Sequence, residues 1–395
     1  MPDNCYDYGR ETVNFSFTPE EEKFRDEVRE FFKGEEKLSE EVMAEVESGE
    51  GFGPATWAIL RKIGKKGWLC PTWPQEYGGL DLPFICRYII MEEMHHYLDL
   101  YGTVGAGMAG PIILMQGSEG QKKNFLLPIA RGEIEFVLGY TEPEAGSDLA
   151  SLIISAEDQG DHFIINGQKV FNTRAHYAQY HWLGARTKEI KPDYKGISLF
   201  IVDLKTPGIT ITPYHTIGGT RTNGVFYDNV KVPKESLVGE KNRGFYYILD
   251  ALAYERVLTV AAMERDFKSL IDYINNIGRG NDPVVRQKVA ELAIDIEAAR
   301  LFVLKVVWML ENKMIPSHEA ALLKIQITET EQRLVNTAMQ VLGPYGQLKR
   351  GSKWSQLNGR LEWRYRDSIE ALIVRGTSEI MRNIIAERGL GLPRG

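Results

Sequence analysis

Apolar residues recur along this chain with two different periods, and the period changes twice. Over roughly residues 16–135 the recurrence is helical. Thr18-Pro19-Glu20-Glu21-Glu22 supplies a threonine N-cap, a proline in the first turn and acidic residues at the positive end of a helix dipole. Phe24, Val28 and the Phe31-Phe32 pair then return at the spacing of one helix face. Gly78-Gly79 breaks the pattern, a second helical stretch runs from about Met91 to Leu100, and a glycine-rich connection follows.

Over roughly residues 136–240 the period shortens. Leu152-Ile153-Ile154 and Phe163-Ile164-Ile165 flank Asp158-Gln159-Gly160-Asp161, which reads as a hairpin. Ile197 to Val202, Ile209 to Ile211 and Val225 to Val232 are further short β-rich runs separated by Gly, Pro and Asn. Strands without intervening helices predict an antiparallel sheet or barrel, not a βαβ layout. From about residue 241 the chain is helical again. Asn281-Asp282-Pro283 opens a helix in which Val285, Val289, Leu292, Ile296, Ala299, Val303, Val306 and Leu310 alternate in steps of four and three, a seam that packs in a bundle. Ser317 opens the next helix, which ends at Gly343. The expected architecture is an α+β chain of three units: a helical domain at 1–135, a middle β domain at 136–240 and a C-terminal helical bundle at 241–395.

Composition narrows the function more than the fold. The 395 residues are 43% hydrophobic and 26% charged, as in an ordinary globular protein, and 47 Lys+Arg against 54 Asp+Glu leave a net charge of -7. A mildly acidic chain without a basic tract is a poor nucleic-acid binder. Cys5, Cys70 and Cys86 are scattered and read as reduced thiols. No secretory h-region precedes Phe15, and the longest apolar stretch, Leu301 to Leu310, is interrupted by Lys305 and is too short for a bilayer. A cytoplasmic location without a membrane span is expected.

Several motifs point nowhere. Gly105-Ala106-Gly107-Met108-Ala109-Gly110 matches GxGxxG literally, but it follows a helical segment and Pro111 interrupts the expected helix start, so it reads as a flexible packed loop. The seven histidines form no metal-ligand pattern, and no GxSxG offers a nucleophilic serine. Tyr140-Thr141-Glu142-Pro143-Glu144-Ala145-Gly146-Ser147-Asp148 is more specific. It places hydroxyls and a glycine in a tight turn after an apolar strand, which serves equally as a helix-capping turn or as the polar edge of a cofactor pocket.

This segment closely resembles the signature of the acyl-CoA dehydrogenase family, and the resemblance runs in order through most of the chain. Gly67-Trp68 with Pro71 to Gly79, Gly167-Gln168-Lys169-Val170-Phe171-Asn172-Thr173, Gln340-Val341-Leu342-Gly343-Pro344-Tyr345-Gly346, Arg366-Asp367 and Gly376-Thr377-Ser378-Glu379-Ile380 look like its other motifs. The resemblance implies an N-terminal helical domain, a middle antiparallel β-barrel-like domain and a C-terminal four-helix bundle. It implies FAD, an acyl-CoA substrate, an electron-transfer flavoprotein as acceptor, and a homotetramer or heterotetramer. It places Tyr140, Thr141, Ser147, Phe171 and Thr173 at the flavin, Gln340, Gly343 and Gly346 at a neighbour's FAD, and Thr377 and Glu379 at FAD as well. Ser147 also meets the thioester, and Arg256 helps hold the CoA moiety.

The chemistry is proton removal beside a thioester carbonyl with hydride transfer from the next carbon. In the commonest pattern the base precedes the closing Gly-Thr, and here that residue is Arg375, which stays protonated. A minority, the isovaleryl and long-chain type, carries the base on a C-terminal-domain helix, where this chain has Tyr254-Glu255-Arg256. Glu255 is therefore the expected base. Asp99 is a weaker second acid on the stretch that lines the acyl pocket, and Arg375 turned into that pocket would favour a substrate with a distal carboxylate. The segment Ile277-Gly278-Arg279-Gly280-Asn281-Asp282-Pro283 departs from the family's Arg and Phe-Gly, which reach a neighbour's FAD. The remaining alternatives are a dehydrogenase of cyclic or dicarboxylic acyl-CoA, an acyl-CoA oxidase, and a non-catalytic subunit of a heteromeric enzyme.

Overall fold

Helix α1 (Pro19–Gly34) begins with a closed capping box, in which Thr18 Oγ1 accepts from the Glu21 amide at 3.2 Å and the Glu21 carboxylate accepts from the Thr18 amide at 2.7 Å. The structure is a computed structural model that describes residues 15–100, 102–189, 193–255 and 258–394. Helices α2 (Glu36–Glu47), α3 (Pro54–Lys65) and α4 (Phe84–Leu98) complete a helical layer with α1, and Val28, Phe32, Ile59, Ile63, Ile89 and Leu98 close its core. Arg25 and Arg29 fasten α1 to the buried carboxylates Glu92 and Glu93 of α4, at 2.7–3.1 Å. Helices α5 (Gly110–Gln116) and α6 (Glu119–Ala130) lead out of this layer.

The glycine-rich stretch expected as a loop is helical. Gly105–Ala109 form a wide π-turn that runs straight into α5, with Pro111 in its first turn, where a missing N–H costs nothing. The glycines there answer close packing: a Cβ at Gly110 would lie 2.1 Å from the Trp73 ring.

Strands β1 (Phe136–Gly139), β2 (Ser155–Asp158), β3 (His162–Lys169), β4 (Tyr180–Arg186), β5 (Ile197–Asp203), β6 (Ile209–His215), β7 (Arg221–Pro233) and β8 (Leu237–Val238) form one sheet in the order β6-β7-β3-β2-β4-β5-β8, with β1 also on β4. Most pairs are antiparallel, but β1 and β2 both run parallel to β4, which a strand period alone does not foresee. The hairpin at Asp158–Asp161 forms as expected, while Leu152 to Ile154 stay outside β2. Their amides are engaged elsewhere: Ile153 N and Ile154 N donate to the Glu142 carboxylate at 2.7 and 3.1 Å.

The third unit contains α7 (Gly244–Glu255), α8 (Ala261–Asn276), α9 (Pro283–Glu311), α10 (His318–Leu342), α11 (Arg360–Ala371) and α12 (Ser378–Ile384). The Asp282 carboxylate caps α9 through Val284 N and Val285 N, and six of the eight seam positions are fully buried, with Val289 and Leu310 packed partly against them. Helix α10 packs on α9, α11 and α12.

Buried charge joins the first unit to the third. Arg360 of α11 reaches Asp99 at 2.7 Å, Asp266 at 2.6 Å and Glu47 at 3.2 Å, while Arg265 reaches Asp99 at 2.9 Å and Arg364 reaches Asp266 at 3.3 Å and also Glu331. The Asp99 and Asp266 side chains are only 2% exposed, so removing the arginine between them strands negative charge away from water. Arg360→Leu is expected to cost about 3–5 kcal/mol of unfolding free energy in a urea titration. A cost below about 0.5 kcal/mol, the range of ordinary surface changes, would show that Arg265 and Arg364 alone carry the junction.

Candidate active site

The site is built from two main-chain turns that share one buried ion pair. After β1 the chain enters the 140–148 turn, closed by Glu142 N to Ala145 O at 3.0 Å and Ala145 N to Glu142 O at 3.2 Å. Gly139 is required at the turn's entry, because a Cβ there would lie 2.3 Å from the His181 ring. The Glu142 carboxylate is buried and accepts from Lys169 Nζ at 2.7 Å. Lys169, at the end of β3, has no exposed surface and also donates to Tyr140 O at 2.9 Å. One residue on, Val170 N donates to Thr141 O at 2.9 Å. Burial pulls the Lys169 ammonium down to about 8 against the opposing pull of Glu142.

The second turn is Phe171-Asn172-Thr173. Asn172 is locked on three sides: its amide donates to Asn223 O at 2.9 Å, its carbonyl accepts from Asn223 Nδ2 at 2.9 Å, and its Nδ2 donates to Leu138 O at 2.6 Å. Thr173 Oγ1 meets Thr222 Oγ1 at 3.3 Å. Phe171 sits between the buried Lys169 and Asn172 with a left-handed φ of 59° and a ring that is 66% exposed. Such backbone is uncommon for a bulky residue and concentrates at functional sites. Tyr140, Thr141, Phe171 and Thr173 are thus brought together by direct bonding of their two turns, and Ser147 is exposed on the first.

The closing motif has the same character. Arg375 and Gly376 take φ of 60° and 91°, and the turn is fastened where Leu372 O accepts both Ser378 N at 3.1 Å and Lys324 Nζ at 3.0 Å. Thr377 caps α12 through Ile380 N at 3.2 Å, and Glu379 is exposed in its first turn. Thr377 and Glu379 border a groove of about 360 Å³ whose cations are already matched, Arg382 to Glu329 at 2.6 Å and Arg333 to Asp295 at 2.8 Å. Beside Arg375, burial and the negative charge of Asp367 push the Glu370 carboxyl up to about 6, with Arg375 opposing.

The other expected residues lie apart. Gln340 is exposed at the end of α10 and bonded to Lys288, Gly343 ends that helix with φ 57°, and Gly346 is buried against Leu342 and Met339. Among the described residues no hydrogen bond ties these three to the two turns. Asp99 ends α4 at φ 57° inside the arginine junction. Burial pushes its carboxyl up, but Arg360 and Arg265 outweigh it and hold it far below the carboxylate range, which leaves a weak base. Glu255 closes α7, but its side chain, like the whole of Arg256, lies outside the described residues. The sequence pattern did not single out Glu142, Lys169, Thr222, Asn223, Lys324 or Glu370. The first two stood inside the quoted motifs, but their burial and pairing come only from the fold. Among the described residues no group of three or more His, Cys, Asp or Glu is placed to hold a metal, and no helix is long and apolar enough to cross a membrane.

Helices, one sheet and a helical bundle in this order, with hydroxyl-bearing turns and an uncovered aromatic ring, are the arrangement that the resemblance to acyl-CoA dehydrogenases implies. Family models describe the N-terminal, middle and C-terminal domains of acyl-CoA dehydrogenase, and they match residues 18–133, 137–230 and 242–390. Acyl-CoA dehydrogenase FadE29 of Mycobacterium tuberculosis is 36% identical over 95% of this chain and 98% of its own length. The mitochondrial long-chain specific acyl-CoA dehydrogenase of Sus scrofa is 30% identical over 94% of this chain and 86% of its own. The solved structure named Tcur3481-Tcur3483 steroid ACAD superposes with a TM-score of 0.91 at 32% identity, covering 97% of this chain and 100% of that one. The ChsE4-ChsE5 complex from Mycobacterium tuberculosis follows at 0.88 and 31%, covering 97% and 100%.

The chain belongs to the acyl-CoA dehydrogenase family. It is an oxidoreductase that dehydrogenates an acyl-CoA thioester and passes the electrons to an electron-transfer protein. The family is in general FAD-dependent, and the residues fit such a group: a flat apolar ring system has Phe171 to pack on, and polar ring edges have the hydroxyls of Thr141 and Thr173.

Beneath Gly139 and Tyr140, burial and the charge of Lys169 hold the His181 imidazole at about 3, and burial holds His95 of α4 at about 3 as well. Both values lie below that of an unfolded histidine, so the unfolded chain takes up protons first as the solution is acidified. Their contribution is complete above about pH 6.5 and is lost as pH falls from there toward 3. Between pH 7 and pH 5 the loss is expected to be about 2 kcal/mol for each histidine, read from urea titrations, and about half the total slope should vanish in His181→Phe. An unchanged slope in that variant would show that His181 accepts a proton without unfolding.

Proposed function

We propose that the chain binds FAD across the two turns and uses Glu255 as the base that removes the proton beside the thioester carbonyl. The observation that carries this reading is Phe171, an aromatic ring left uncovered on a left-handed backbone held between the fully buried Lys169, two residues before it, and Asn172, directly after it. An exposed ring on so constrained a support is suited to stacking on a planar ligand. Tyr140, Thr141, Ser147 and Thr173 then face the isoalloxazine, and Thr377 and Glu379 meet FAD near the α12 groove. When bound, FAD supplies the hydride acceptor.

The protein's own part is to orient the acyl group and move one proton. Charge develops on the thioester oxygen as the proton leaves, and an N–H fixed near that oxygen stabilises it. The amide of residue 375, held by the Leu372 and Ser378 clamp, offers such a donor whatever the side chain. Arg375 stays protonated and cannot be the base, and Asp99 is held too acidic. Glu255 stands at the end of a helix that packs on β5 and on the Gly105–Ala109 turn, between the sheet and the first unit. Arg256 beside it holds the CoA moiety.

A heteromeric assembly is the second reading. Ile277 to Pro283 departs from the pattern of Arg and Phe-Gly expected to reach a neighbour's FAD, and two solved relatives are named as pairs of different components. In such an assembly Gln340, Gly343 and Gly346 meet a partner's FAD and the partner completes the site here. The relative named a steroid ACAD supports a bulky ring-bearing acyl-CoA as the first substrate class to test, ahead of straight-chain and dicarboxylic esters.

Anaerobic bleaching of the flavin by a panel of straight, branched, cyclic, steroid-side-chain and dicarboxylic CoA esters tests the reading, with the chain alone and co-expressed with a paralogue. Glu255→Gln is expected to keep FAD and to slow bleaching by about 10²–10⁴-fold. Bleaching at the wild-type rate in that variant would move the base elsewhere, and hydrogen peroxide formed under air would mark an oxidase instead.

A further inference from the structure

The buried Lys169–Glu142 pair has no part in the proton or hydride transfer, yet it lies between the two turns that carry the proposed flavin contacts. Lys169 Nζ donates to Tyr140 O at 2.9 Å and to Glu142 Oε1 at 2.7 Å. The same carboxylate accepts the amides of Ile153 and Ile154, so it also shapes the chain that leaves the first turn. From Lys169 the main chain runs directly into Phe171, Asn172 and Thr173. One ammonium therefore fixes the carbonyl of a residue on the first turn while its own backbone anchors the second. We propose that Lys169 is a positioning residue for the flavin: its ammonium holds Tyr140–Thr141 and Phe171–Thr173 at the separation the isoalloxazine requires.

This rests on the flavin placement proposed above. It goes beyond that placement because Lys169 itself need not touch the cofactor. A purely structural ion pair would be replaceable. Exchanging both charges of a buried pair for neutral groups of similar volume is often neutral or stabilising, whereas removing one partner strands the other. The pair Lys169→Met with Glu142→Gln keeps the volumes and retains a carbonyl oxygen at position 142 that still accepts from Ile153 or Ile154. It withdraws the donor to Tyr140 O and one of the two acceptors that Ile153 N and Ile154 N use, whereas Lys169→Met alone leaves both acceptors in place. The other charge nearby is Arg186 of β4, whose guanidinium donates to Leu152 O at 2.8 and 2.9 Å and to Ala150 O at 2.9 Å, so it does not substitute for that donor. His181, packed on the opposite side of Gly139, is buried and neutral and bonds to Tyr227.

The experiment uses apo-protein prepared from the full chain and titrated with FAD. The double variant is expected to unfold at nearly the wild-type urea midpoint, yet to bind FAD about tenfold more weakly and with a displaced visible flavin band. Tenfold corresponds to about 1.4 kcal/mol, within the range expected for one hydrogen bond from a charged donor. Lys169→Met alone, where it folds, is expected to show the same flavin defect plus a lower midpoint. A double variant with the wild-type dissociation constant and the wild-type flavin band would overturn the proposal and leave the pair as a stability device. If the wild-type chain takes up no FAD, alone or with its paralogue, the flavin reading itself fails and the positioning role goes with it. That outcome is distinguishable because it appears before any variant is compared.

Discussion

A lysine with no exposed surface must have its charge met inside the protein, and the way Lys169 meets it organises the middle domain. The carboxylate that answers it belongs to the 140–148 turn and also takes two amides from the segment before β2. That diversion is why Leu152 and Ile154 are core residues, and Ile153 between them an exposed one, without being strand. It also ties the exit of β1 to the end of β3, and with Asn172 reaching back to Leu138 O it sets the two turns facing each other. The site is therefore a product of unshared backbone groups being satisfied by side chains, in a place where sheet bonding stops.

The elements legible in the sequence were those specified locally. The Thr18 cap, the Asp282-Pro283 start and the seam from Val285 to Leu310 carry their own signals, and the helices begin and pack where those signals say. What failed depended on distant partners. The Gly105–Gly110 stretch looks like a loop until Trp73 is brought against Gly110, and the parallel pairing of β1 and β2 with β4 follows from which strands become neighbours. Asp99 looked like a pocket acid because Arg265 and Arg360 are distant from it in sequence.

The candidate site was named by motif, while the bonds that shape it were hidden. Thr141 and Thr173 could be named from the family pattern, but the hydrogen bonds that place them run through Glu142, Lys169, Thr222 and Asn223. Asp99, Phe171 and Arg375 share left-handed backbone, with φ of 57°, 59° and 60°, and no residue type announces that conformation. For Asp99 the φ marks a helix end that tolerates it, whereas for Phe171 and Arg375 bulky side chains are held there, a strain that persists only where surrounding bonds over-determine it.

The fields at the candidate positions bear on the proposal that Glu255 is the base. Asp99 is surrounded by guanidinium groups, so its carboxylate is stabilised and its affinity for a proton is reduced. The proposed base, Glu255, stands at the last residue of α7, away from those guanidinium groups in sequence and on a different helix. With Arg375 unable to accept a proton, the common position is closed, and the proposed base at Glu255 belongs to a helix that packs on both the sheet and the Gly105–Ala109 turn.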